Sequence, residues 1–210
     1  MNVQKFRHFY LNKYVVSPAS RRKYHLCYNY KYKALWYRVA KVASRTIDQH
    51  FRDHTPAEEY IYSSEVGYWP GQFQDWFKFA FVRNPIDRFL SAWRNKVVEE
   101  NYFHFSDQVH REMQDIGKFI AWVEPQDIEA CDEHLRVQAS LIDLNHVDFV
   151  GRLENLGEDL MFVASQIDLP IGEIHKKNTT KKRSTSLSNA QEEKLREIYL
   201  KDFSIFYPEA

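Results

Sequence analysis

Two strand-to-helix junctions constrain this chain more than anything else in it. They are Lys41-Val42-Ala43-Ser44-Arg45-Thr46 and Phe81-Val82-Arg83-Asn84-Pro85-Ile86-Asp87-Arg88-Phe89-Leu90-Ser91-Ala92. Each puts cationic and hydroxyl side chains where a β-rich run gives way to a helical pattern. A helix N-terminus presents free N–H groups and a partial positive charge, so such a junction suits a phosphate. Two of them, forty-odd residues apart, point to a ligand with phosphates at both ends.

The surrounding pattern supplies the frame. Ala34–Ala40 and Phe77–Val82 are aromatic and β-branched, and Val147–Val150 is a short run of the same kind, so all three read as strands. After the first junction Ile47, Phe51 and His54 share a helical face that Pro56 ends. After the second, Asn84 is an N-cap with Pro85 at the first position, and Ile86, Phe89, Leu90, Trp93 and Val97 form the apolar stripe. Arg88, Ser91 and Asn95 fall off it. A further helix spans about 155–167, and Ser188 with Gln191 makes a capping box for a last helix reaching Lys201. Residues 100–140 read as mainly helical. Alternating strands and helices indicate an α/β protein with a central parallel sheet and ligand at its C-terminal edge.

Charge is distributed unevenly. The formal net charge is +0, yet no Asp or Glu precedes Asp48, while that stretch holds eleven Lys and Arg. Residues 1–33 form a basic, tyrosine-rich extension, and 34–210 the main domain. A second basic run, Lys176–Arg183, lies near the C-terminus. Both favour an anionic ligand. Cys27 and Cys131 fit no metal-ligand spacing, so reduced thiols in a cytoplasmic setting are expected. No apolar run approaches the ~18 residues of a membrane span, and no signal-peptide pattern opens the chain.

In the first junction the backbone N–H groups of residues 42–46 can wrap a phosphate, with hydroxyls from Ser44 and Thr46 and a point charge from Lys41. The segment lacks glycine and does not match the nucleotide-kinase phosphate loop. In the second, Arg83 ends a strand and Ser91 lies two turns into the helix; an arginine fork plus a hydroxyl clamps a phosphate monoester. Arg88 either assists or pairs with an acid.

Together these residues resemble the cofactor-binding signature of the sulfotransferases that use 3′-phosphoadenosine 5′-phosphosulfate (PAPS), nearest the Golgi-type carbohydrate enzymes and their bacterial relatives. Asp148-Phe149-Val150-Gly151-Arg152-Leu153-Glu154 and Tyr199–Phe206 are also similar to that family, and His134–Gln138 faintly so. The resemblance implies a P-loop-like three-layer sandwich, its central parallel sheet flanked by helices. It implies PAPS as co-substrate and PAP as product, without a metal. Lys41, Val42, Ala43, Ser44, Arg45 and Thr46 would hold the 5′-phosphosulfate; Arg83 and Ser91, with Arg88, the 3′-phosphate.

The reaction so implied is in-line sulfuryl transfer to a hydroxyl acceptor of carbohydrate type, with Lys41 stabilising the leaving oxygen and a Glu or His as base. Glu65 is the first candidate and His54 the second, ahead of Glu58 and Glu59. Tyr60, Tyr62, Tyr68, Trp69, Phe73 and Trp76 read either as sugar-stacking rings or as core. The competing reading is a non-catalytic binder of RNA or a sulfated glycan on the same frame. No nucleic acid beyond the nucleotide is expected, and oligomeric state is not legible.

Overall fold

In the computed structural model, which describes residues 3–170 and 186–209, the chain divides into two compact units. The basic run 176–183 lies outside the described residues. The first unit takes residues up to Val82 together with the segment starting at Ser140; the second takes Arg83–Ala139 and the C-terminal helices.

The first unit is built on a five-stranded sheet. Its strands are β1 (Tyr24–Asn29), β2 (Ala34–Tyr37), β3 (Tyr60–Val66), β4 (Phe77–Val82) and β5 (Phe149–Arg152), in the order β3-β1-β2-β4-β5. β2, β4 and β5 are parallel neighbours, with Tyr37 opposite Ala80 and Val82 opposite Arg152. These are the three runs expected as strands. β1 pairs antiparallel with both β2 and β3, so the sheet is mixed, with the parallel strands that the sequence suggested joined by one strand of opposite direction. β1 comes from the basic extension, where Arg21, Arg22 and Lys23 mask it, yet all six of its residues are buried.

That burial is possible because both faces of the sheet are covered. On one face α3 (Ser44–His54) stacks Phe51 on Phe79 at 5.5 Å and on Tyr60 at 6.0 Å. On the same face α7 (Leu156–Gln166) sets Phe162 against Phe149 at 4.6 Å. The other face carries a helical N-terminal segment: α1 (Val3–Phe6), a π-helical stretch Arg7–Val16, and α2 (Ser17–Ala19). His8 packs there at 4.4 Å from Phe73 and 6.4 Å from Tyr28. Three layers result, as expected of the fold.

Two glycines permit close approaches in this unit. A Cβ on Gly151 would stand 2.7 Å from the Phe81 ring, and one on Gly67 would stand 2.2 Å from Ser20 Oγ. Gly67 also donates its N–H to Ser17 Oγ at 2.8 Å, which ties the end of β3 to the N-terminal segment.

The second unit is helical. It contains α4 (Pro85–Trp93), α5 (Asp107–Met113), α6 (Ile116–Val123), α8 (Asn189–Ile198) and α9 (Leu200–Phe206). Phe89 meets Phe119 at 5.5 Å and Tyr199 at 6.1 Å at its centre. The Ser188–Gln191 capping box forms as read, but the chain breaks at Tyr199 before α9 begins. Residues 124–137 are turns instead of the expected helix. Asp127 and Asp132 accept from the N–H groups of Glu129 and His134, two residues on, a local bond that competes with helix.

Candidate functional site

The chain leaves β2 and β4 at one edge of the sheet, since the two strands are parallel and in register. The first junction lies at that edge. Lys41 and Ala43 both adopt left-handed φ, 70° and 58°. Non-glycine residues reach that region at a cost on the order of 1 kcal/mol each, and such strain gathers at ligand clamps. Ala43 is the N-cap of α3 and supplies no side-chain cap, and no acidic residue occupies the first turn. Its carbonyl already accepts from Thr46 and Ile47. A helix start without a side-chain cap, behind two left-handed residues, has the backbone form in which N–H groups can receive an anion.

The side chains around it divide. Lys41, Ser44 and Thr46 are half-buried and Arg45 is exposed, while Val42 is packed into the core. Ser44 donates its hydroxyl proton to the Val39 carbonyl at 2.7 Å. That bond closes the loop onto the strand end, a role the sequence did not suggest.

Of the two expected bases, Glu65 reaches this edge and His54 does not. β3 ends where β2 ends, because Leu26 of β1 pairs with both Tyr37 and Ser63. Glu65 therefore stands two strands from β2, roughly 10 Å at the usual strand spacing. Its side chain is half-exposed and meets His25, which no motif in the sequence marks. His54 closes α3 eleven residues on. Its Nδ1 bonds the His50 carbonyl at 2.9 Å, and the next residue, Thr55, accepts from Asn29 at the opposite end of β1.

The aromatic group resolves largely into core. Tyr60, Tyr68, Phe73 and Trp76 are buried, whereas Tyr62 is 37% and Trp69 67% exposed. Trp69 lies four residues beyond Glu65.

The second junction belongs to the helical unit and works differently. Here the helix end is capped, since Asn84 Oδ1 accepts from the N–H groups of Ile86 and Asp87 at 3.1 and 3.3 Å. The side chains of Arg83 and Ser91, the two residues expected to meet a phosphate here, are both half-buried. Arg83 is positioned through its peptide. Its N–H donates to Gln138 Oε1 and its carbonyl accepts from Gln138 Nε2, both at 2.9 Å. Gln138 is fixed in turn by Asp202, whose carboxylate accepts from the N–H groups of Gln138 and Ala139 at 2.8 and 2.9 Å. Asp202 is fully buried, which raises its pKa, while those N–H groups pull it back down.

Arg88 does not join that clamp. It is 1% exposed, and its guanidinium donates to the carbonyls of Arg136 at 2.8 Å and Glu133 at 2.7 Å. Burial lowers its pKa, opposed by Tyr199 and Asp202. Its work is to hold the 133–136 turn.

With this geometry in place, similarity to known proteins becomes specific. The sulfotransferase family matches residues 24–208, nearly the whole chain. Carbohydrate sulfotransferase 14 of Homo sapiens is 28% identical over 158 residues, 64% of this chain and 41% of that protein. Its Mus musculus counterpart is 31% identical over 113 residues, 46% of this chain and 30% of that protein. The chain thus spans less than half the length of these curated relatives. No solved structure matches it. The chain belongs to the sulfotransferase family.

Proposed function

We propose that this sulfotransferase-family chain moves the sulfuryl group of PAPS to a hydroxyl of a carbohydrate acceptor. The observation that carries the reading is the first junction. Its uncapped helix end, two left-handed residues and Lys41 stand at the C-terminal edge of parallel strands, where an α/β sheet binds phosphates. PAPS, when bound, supplies a sulfuryl group already joined to a phosphate leaving group.

Thr46 and the N–H groups of the loop would hold the 5′-phosphosulfate. Lys41 would place its ammonium beside the bridging oxygen that takes up negative charge. Glu65 would accept the proton of the acceptor hydroxyl. Arg83 and Ser91 would take the 3′-phosphate, and the Gln138 clamp sets where the arginine begins. Exposed Trp69 offers an aromatic face to a sugar ring, in line with the carbohydrate wording of the relatives' names.

Lys41→Ala tests the reading. Transfer from labelled PAPS to a panel of unsulfated polysaccharides should fall on the order of 10²–10³-fold, while PAP binding by calorimetry stays near wild type. Equal loss of both would make Lys41 a binding residue only. Transfer at the wild-type rate would remove it from the mechanism.

A further inference from the structure

The end of β3 holds one residue more than β1 can pair. Tyr24 is opposite Val66 and Leu26 opposite Ser63, so Ser64 and Glu65 together face the single residue His25. This is a β-bulge, which re-aims a side chain out of the regular alternation. The extra residue has φ 55°, a conformation that glycine adopts freely and glutamate does not.

His25 is 6% exposed, and its ring bridges two partners. Nε2 lies 3.2 Å from Glu65 Oε1 and Nδ1 lies 2.8 Å from the Tyr62 hydroxyl. Arg38 closes the cluster from β2's end, its guanidinium 4.8 Å from the Tyr62 ring centroid and its backbone N–H donating to the His25 carbonyl at 2.7 Å. His25 and Tyr62 alternate with Cys27 and Tyr60 on the sheet face that carries α3, so the cluster shares both face and edge with the Lys41 loop.

We propose that His25 is the positioning residue of the general base: Tyr62 donates to Nδ1, and the Nε2–H so fixed holds one oxygen of Glu65 and presents the other to the acceptor. The inference rests on Glu65 being the base. A half-exposed glutamate samples many rotamers, and a tethered one spends its time where the hydroxyl arrives. In the step itself the acceptor O–H breaks and the proton moves to the untethered Glu65 oxygen. The acceptor oxygen's electron pair forms the new O–S bond, and the S–O bond to phosphate breaks with its pair leaving on PAP. The imidazole keeps its proton throughout.

The tautomer can be read in the wild-type protein, with no acceptor needed, by nitrogen NMR of labelled histidine at mildly alkaline pH. His25 should carry its proton on Nε2; a proton on Nδ1 overturns the proposal. In kinetics, His25→Leu should lower kcat about 10–100-fold with KM for PAPS and PAP affinity unchanged. His25→Gln, which restores an N–H donor, should recover much of the loss, and Tyr62→Phe should fall between. Glu65→Gly, freed of the left-handed penalty, should melt higher than wild type and transfer nothing. His25→Leu at full kcat, or losing PAP binding in step with kcat, contradicts the positioning role. Glu65→Gln at the wild-type rate would instead remove the base assignment beneath it.

Discussion

Gln138 holds both polar groups of the Arg83 peptide, accepting from its N–H and donating to its carbonyl, each at 2.9 Å. A side-chain amide thereby replaces the strand partner that Arg83 loses when the chain leaves β4. The backbone of the arginine is fixed at both its polar groups. Replacing Gln138 by Leu should cost about 1–3 kcal/mol of stability, because a half-buried backbone loses two partners. PAP should bind on the order of ten-fold more weakly while ADP changes less, as calorimetry on the two nucleotides can check. Equal weakening of both would disconnect Gln138 from the 3′-phosphate.

Ala43→Gly probes the strained loop. Glycine takes φ 58° without penalty, so the variant should gain roughly 0.5–1 kcal/mol in denaturant titration. Sulfuryl transfer should persist, since the backbone N–H groups stay in place. A destabilised variant would mean that the methyl group contributes packing that outweighs the strain.

Gly151→Ala tests a backbone approach. The added Cβ would stand 2.7 Å from Phe81 and 3.0 Å from Asp159, and Phe81 is fully buried with no room to move aside. Overpacking of this sort should cost about 1–3 kcal/mol. A melting temperature equal to wild type would show that β5 yields more easily than its pairing with β4 suggests.

His8 should make the N-terminal segment sensitive to acid. Burial holds its pKa down at about 4 against 6.5, with Asp75 raising it and Arg7 lowering it. The unfolded chain therefore binds this proton first, and the stability from a neutral, packed imidazole is lost as pH falls from about 6.5 towards 4. His8→Phe, a ring for the site against Phe73, should reduce the stability difference between neutral and mildly acidic buffer. An unchanged difference would assign the acid response to other groups.

Much of this is legible in the sequence, and the failures have identifiable causes. β2 and β4 show themselves as apolar runs because they are buried almost throughout, and β5, a half-buried edge strand, still shows as a short apolar run. β1 hides because Tyr24, His25 and Asn29 are polar by type and buried by circumstance. The first junction is readable from residue types, but its left-handed residues are Lys and Ala, where glycine would have announced them. Arg88 misleads for a similar reason, an arginine being counted as surface. The available signal is its place in a buried row with Pro85 and Ala92, three residues before and four after it. Gln138 and His25 act on a peptide and on another side chain across long sequence gaps, and no local pattern encodes either contact.

The most direct measurement is calorimetric titration of the wild-type protein and Arg83→Ala with PAP and with ADP. Binding of PAP on the order of micromolar, much weaker for ADP and lost in the variant, is the expected result. A wild-type protein that does not distinguish PAP from ADP would contradict the 3′-phosphate site and, with it, the use of PAPS.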